Sequence, residues 1–155
     1  MTINSSGAGA SRAVLIFRLL GLGLYITAFF LPACREAVGI GSDAPAVFRG
    51  YTCAWVTVVN TLSTEVWRSK EVLAILSGWI NPLLLLYLVS LLSDRMRWPR
   101  RIVASAILLF IGGTWVYFSL AHLVPLVGHY LWIAGILMVL SGEVMGREVS
   151  DQGQP

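Results

Sequence analysis

Cys34 and Cys53 are the only two thiols among the 155 residues, and both fall in one long connection between apolar runs. Two thiols on a loop facing an oxidising compartment meet the requirement for a disulfide. Such a bridge would close a loop of about 20 residues, worth roughly 3 kcal/mol in the chain-entropy account. Asn81 stands directly before Pro82 in the middle of another apolar run. An amide there is costly unless bonded. It therefore has two roles open to it: a polar tie between helices that also serves a carbonyl freed by Pro82, or a contact for a ligand or ion. In the second role Trp79 is its nearest aromatic neighbour, with Tyr87 and Trp115 beyond. His122 and His129 flank Pro125, seven residues apart. On one helix that spacing puts them on one face two turns apart, too far for a single metal. Hydrogen bonding at an interface is their expected role, and no metal site is assigned.

Missing groups narrow the chemistry further. The chain has no Ser-His-Asp arrangement, no phosphate loop and no His-Glu-x-x-His, so no catalytic residue and no cofactor is assigned. No Asp or Glu lies within any of the long apolar runs. Proton-coupled transport generally needs a titratable group inside the membrane.

Four such runs must position these side chains: 13–31, 72–92, 102–120 and 123–140. As helices they are about 27 to 32 Å long, which matches a hydrocarbon core of about 30 Å. The chain is 57% hydrophobic and 12% charged, with a mean hydropathy of +0.77. A soluble domain carries about a quarter charged residues. The expected fold is an all-α integral membrane protein, a four-transmembrane-helix bundle forming a single membrane domain over 13–140. Residues 1–12 and 141–155 are expected to be flexible cytoplasmic tails. Residues 32–71 form an extracytoplasmic loop of about 40 residues, too small for a core of its own.

Within that loop, 33–50 has the Gly, Pro, Asp and Ser usage of irregular structure. Tyr51 to Leu62 is mostly apolar and too short to span, which predicts a short helix or strand on the outer ends of the bundle. Pro82 predicts a kink in the second span. The third and fourth spans, separated by Ala121-His122 with Pro125 in the first turn of the fourth, are expected to form a tight antiparallel hairpin. Gly21 and Gly23 offer a narrow face on the first span.

Net charge is +3, and its placement speaks for a membrane surface and against nucleic acid. Arg95, Arg97, Arg100 and Arg101 crowd the short connection 93–101. Short basic loops stay on the cytoplasmic side, where anionic headgroups favour them by about 1 kcal/mol per residue. With Arg12, Arg18 and Arg147 that side holds seven basic residues, against Arg35, Arg49, Arg68 and Lys70 on the other. Both termini are thus placed in the cytoplasm, in a plasma or bacterial inner membrane. Arg18 is near enough to the interface for its stem to carry the guanidinium out to headgroups.

Leu31-Pro32-Ala33-Cys34 resembles the bacterial lipoprotein signal, with Arg12 and Arg18 as basic region and Leu19 to Phe30 as apolar region. Pro32 departs from that pattern. The resemblance implies a lipidated Cys34 and three retained helices. The chain is also similar, in size and span count only, to four-helix membrane thiol oxidases. Those use a Cys-x-x-Cys pair and a second outer pair, neither of which occurs here.

Three functions follow in order. The first is a non-enzymatic component acting through association with a membrane-protein partner or with itself, supported by small faces at Gly21, Gly23, Gly112, Gly113 and Gly135. The second is a small-molecule binder or carrier with a cavity beside the Asn81-Pro82 kink. The third is an outer-face thiol or metal enzyme.

Overall fold

The computed structural model describes residues 5–37, 46–61, 72–93 and 96–151. Among them are five helices and three short strands: α1 (Ser5–Ala28), β1 (Pro32–Glu36), β2 (Val47–Arg49), α2 (Gly50–Thr61), α3 (Val72–Ser90), α4 (Arg97–Leu120), β3 (Leu123–Pro125) and α5 (Val127–Asp151). Two of the helices, α3 and α4, are long and apolar enough to cross a membrane. Their outward faces are apolar and uncovered, with Leu85 64% and Leu109 72% exposed.

α1 lies along α5, and α4 lies along α3. The first pairing is backbone to backbone. A Cβ on Gly21 would come within 2.8 Å of the Gly135 carbonyl oxygen, and one on Gly135 within 2.6 Å of the Gly21 carbonyl oxygen. Only glycine on both helices permits that approach. A Cβ on Gly23 would meet nothing within 4 Å among the described residues, so Gly23 takes no part in that approach. The side chains of Ile80, Leu84, Tyr87, Ile107, Ile136 and Val139, from α3, α4 and α5, fill the common core.

Several expectations are corrected. The stretch 33–50 is not simply irregular, because β1 and β2 lie in it; residues 38–45 are outside the described residues. The sheet runs β2-β1-β3, with Cys34 opposite Phe48 on one side and Pro125 on the other. The backbone of a segment covered by neighbouring structure must find partners, and pairing on both edges of β1 supplies them. The fourth helix accordingly starts at Val127 rather than Leu123. Pro125 ends an edge strand, where its missing N–H costs no ladder bond. The turn into β3 is made at His122, whose φ of 52° is the left-handed conformation that often ends a helix. The Ala37 N–H donates to the His122 carbonyl at 2.9 Å.

With a strand between them, α4 and α5 are not each other's main packing partners, and the expected tight hairpin gives way to the α1–α5 and α3–α4 pairs. The predicted tails are partly helical, since α1 begins at Ser5 and α5 runs to Asp151. α4 begins at Arg97, so Arg97, Arg100 and Arg101 sit in its first turns rather than in a loop; Arg95 is outside the described residues. The Tyr51–Leu62 segment is helical over its described residues, which end at Thr61. Its first N–H groups, of Gly50 and Tyr51, donate to the carbonyls of Leu31 and Phe29 at 3.1 and 2.9 Å. Open groups at the end of α1 and the start of α2 thereby satisfy one another.

Candidate functional site

Where α2 leans on α3, Gly78 leaves room for the Thr57 side chain, which occupies the position a Cβ would take. Above that contact the helices part around a cavity of ≈ 440 Å³. α1 and β1 contribute Ala28 and Cys34, α2 contributes Cys53, α3 contributes Asn81, α4 contributes Thr114 and α5 contributes His129. The volume is that of a small-molecule site.

Asn81 is the best-defined group in the cavity wall. Its Oδ1 accepts hydrogen bonds from the Tyr25 hydroxyl at 2.9 Å and from Trp132 Nε1 at 3.2 Å. An indole N–H can only donate, so the oxygen of the amide must face Trp132, and the amide NH2 is turned to the other side. Asn81 therefore ties α1 to α3 and α5, which is the first role the sequence allowed, and it also lines the cavity, which is the second.

His129 lies in an aromatic nest. Its ring centroid is 4.6 Å from Phe118, 5.5 Å from Trp115 and 5.8 Å from Trp132, the last in a stacked arrangement. The residue is 4% exposed, and its buried Nε2 has no hydrogen-bond partner among the described residues. His122 is exposed in the turn before β3, so the two histidines do not share a helical face as their spacing predicted.

Cys34 and Cys53 are brought together by β1 and α2, with Sγ atoms 3.9 Å apart and unbonded. Their hydrogen bond moves their acidities in opposite directions. It lets Cys34 donate to a Cys53 thiolate, which pulls Cys53 below the ordinary thiol range against the opposing effect of burial. The same bond, with burial, pushes Cys34 up.

Trp79 is not where the ligand role placed it. It is 43% exposed on the outward side of α3 and does not line the cavity, because two residues along a helix turn a side chain well away from Asn81. Tyr87 is buried in the core below. Sequence reasoning missed Tyr25 and Trp132 as the donors to Asn81. The available signal was that each carries a polar group in an apolar run and, when buried, such a group usually takes a partner. Among the described residues no group of three or more His, Cys, Asp or Glu side chains is arranged to hold a metal.

No family model, curated protein or solved structure matches this chain.

Proposed function

We propose that this chain crosses a membrane four times and binds a small molecule in the cavity at the outer end of its helices. The observation that carries the binding role is the meeting of Asn81 and His129, two polar side chains from different helices, in the wall of a ≈ 440 Å³ cavity. A cavity that only relieved misfit packing has no use for an amide held by two donors or for a buried imidazole nitrogen without a partner.

Lipid accounts for the exterior. Leu15, Ile16, Leu19 and Leu20 of α1 and Val127 and Leu137 of α5 are exposed, as are the outward faces of α3 and α4. A continuous apolar exterior of this kind needs a cover that water does not give. With α1, α3, α4 and α5 as spans, the distribution of basic residues favours both termini in the cytoplasm of a plasma or inner membrane. The cavity and both thiols then lie at the extracytoplasmic end, where Cys34 and Cys53 can form a disulfide.

Thr114 is buried at the cavity wall, and its hydroxyl donates only within its own helix, to the Phe110 carbonyl at 3.0 Å. Thr114→Phe should fill the space. A small molecule extracted from the wild-type protein after gentle purification, and absent from Thr114→Phe, is the expected outcome. A wild type that yields nothing, with Thr114→Phe simply more heat-stable, would show an empty packing void.

The association role keeps one specific support. Cβ positions at Gly23, Gly112 and Gly113 meet no atom of a neighbouring element within 4 Å among the described residues, so these small-residue faces on α1 and α4 are not covered by them. A defined oligomer in mild detergent that dissociates on Gly112→Leu is the outcome that role requires.

A further inference from the structure

We infer that Cys34 and Cys53 form a redox-active dithiol that exchanges with small disulfides entering the cavity, with Cys53 as the attacking sulfur and Cys34 as the resolving one. This activity is separate from the binding role proposed above and shares only the cavity with it.

Backbone bonds hold the two thiols within reach of each other without a covalent link. The Gly50 N–H donates to the Leu31 carbonyl at 3.1 Å, and each cysteine stands three residues beyond one of these partners. Cys34 lies on β1, the middle strand of the sheet, paired on both edges. Cys53 is the fourth residue of α2. Their Sγ atoms are 3.9 Å apart, so an approach of about 2 Å brings them to the disulfide bond length of about 2.05 Å. The chain has no third cysteine to compete as the resolving sulfur.

Either thiol can donate in the contact between them, so their places decide which one ionises and attacks. Cys34 is 3% exposed and fixed in the sheet. Cys53 is partly exposed. With Cys34 as donor, the Cys53 thiol lies below its ordinary range; burial opposes that shift and Cys53's own backbone N–H adds to it. The thiolate is the nucleophile. Both cysteines line the ≈ 440 Å³ cavity, and Val56, three residues on from Cys53, is 47% exposed in the same wall. A small molecule can reach such a position, whereas a flat protein surface cannot.

In the exchange, the Cys53 thiolate attacks one sulfur of the incoming disulfide, which leaves a mixed disulfide on Cys53 and releases the other half as a thiolate. The Cys34 sulfur gives up its proton and attacks Cys53 Sγ. The internal disulfide closes and the second half leaves. The dithiol has then lost two electrons and two protons, and the incoming disulfide has become two thiols. Excess small thiol runs the same steps backward.

Bis(2-hydroxyethyl) disulfide serves as the small probe and oxidised glutathione as a bulky one. Reduced full-length protein in detergent is treated with each at neutral pH, quenched, alkylated and weighed intact by mass spectrometry. The wild type should lose both alkylatable thiols without a lasting adduct, and 2-mercaptoethanol should restore them. Cys34→Ala should instead trap one mercaptoethanol adduct on Cys53, about tenfold faster than Cys53→Ala traps one on Cys34. Cys34→Ser serves as a second variant lacking the resolving sulfur. Glutathione should modify Cys53 about tenfold more slowly than the small probe, each rate taken relative to a free cysteine peptide. A bridge that 2-mercaptoethanol leaves intact would overturn the exchange activity in favour of a static disulfide. Equal trapping by Cys34→Ala and Cys53→Ala would overturn the division of roles. Glutathione as fast as the small probe would overturn access through the cavity. None of these readouts depends on an extracted molecule, so failure here leaves the binding role standing.

Discussion

The two ends of the helix packing follow opposite rules. Around Tyr87 the helices are joined by large apolar side chains, with Ile80, Ile107, Ile136 and Val139 fully or almost fully buried. Around Asn81, one to two turns away along α3, they part, and the space between them is lined by an amide, an imidazole, several hydroxyl residues and two thiols. Close packing is the ordinary state of a protein interior, so the open end, with polar groups where apolar ones would pack better, is the part of the packing that supports the proposed binding role.

The comparison can be broken in four places. The largest effect is expected at Gly135→Leu, where backbone on both helices blocks any adjustment; about 4 kcal/mol or more of stability should be lost, seen as little folded protein after purification. Ile107→Ala, in the close-packed end, should cost about 3 kcal/mol in a reversible detergent unfolding assay. If Ile107→Ala proves neutral, that end is looser than described and the contrast fails. Asn81→Leu should cost about 2 kcal/mol, because the Tyr25 hydroxyl and the Trp132 N–H lose their acceptor. The smallest change is chemical. Cys53 should alkylate at a lower pH than an ordinary thiol, whose pKa is about 8.5. The sign follows from its lowered pKa: more thiolate is present at any pH below the ordinary value. Cys34→Ala removes the donor and should shift the alkylation profile of Cys53 back upward, read by mass spectrometry over a pH series.

Much of the helix content was legible, because runs of apolar residues matching a membrane's thickness are a one-dimensional signal. The ends of those helices were not. Ser5 to Arg12 and Ser141 to Asp151 look polar and flexible by composition, yet α1 and α5 continue through them. The sheet was hidden for a different reason: β1 pairs with strands distant in sequence, and three to five residues are too few for a period to show. At the site, Asn81 and the cysteine pair stood out by type alone. Its partners Tyr25 and Trp132 did not, since contacts between α1, α3 and α5 depend on packing that no local pattern encodes. Trp79, two residues from Asn81, faces outward, because neighbours in sequence on a helix are not neighbours in space.

The pairing of α1 with α5 also has a consequence for biosynthesis. A ribosome delivers α1 first and α5 last, so the Gly21 face has no partner while all the intervening chain is made. The sheet has the same property, since β1 closes on β3 only when the chain just before α5 emerges. The α3–α4 pair can assemble as it leaves the ribosome, whereas the cavity, walled by both pairs, is completed by the last helix. Chains truncated before Val127 should therefore be degraded rather than accumulate as a partly working form, which pulse-chase labelling of truncated products would show.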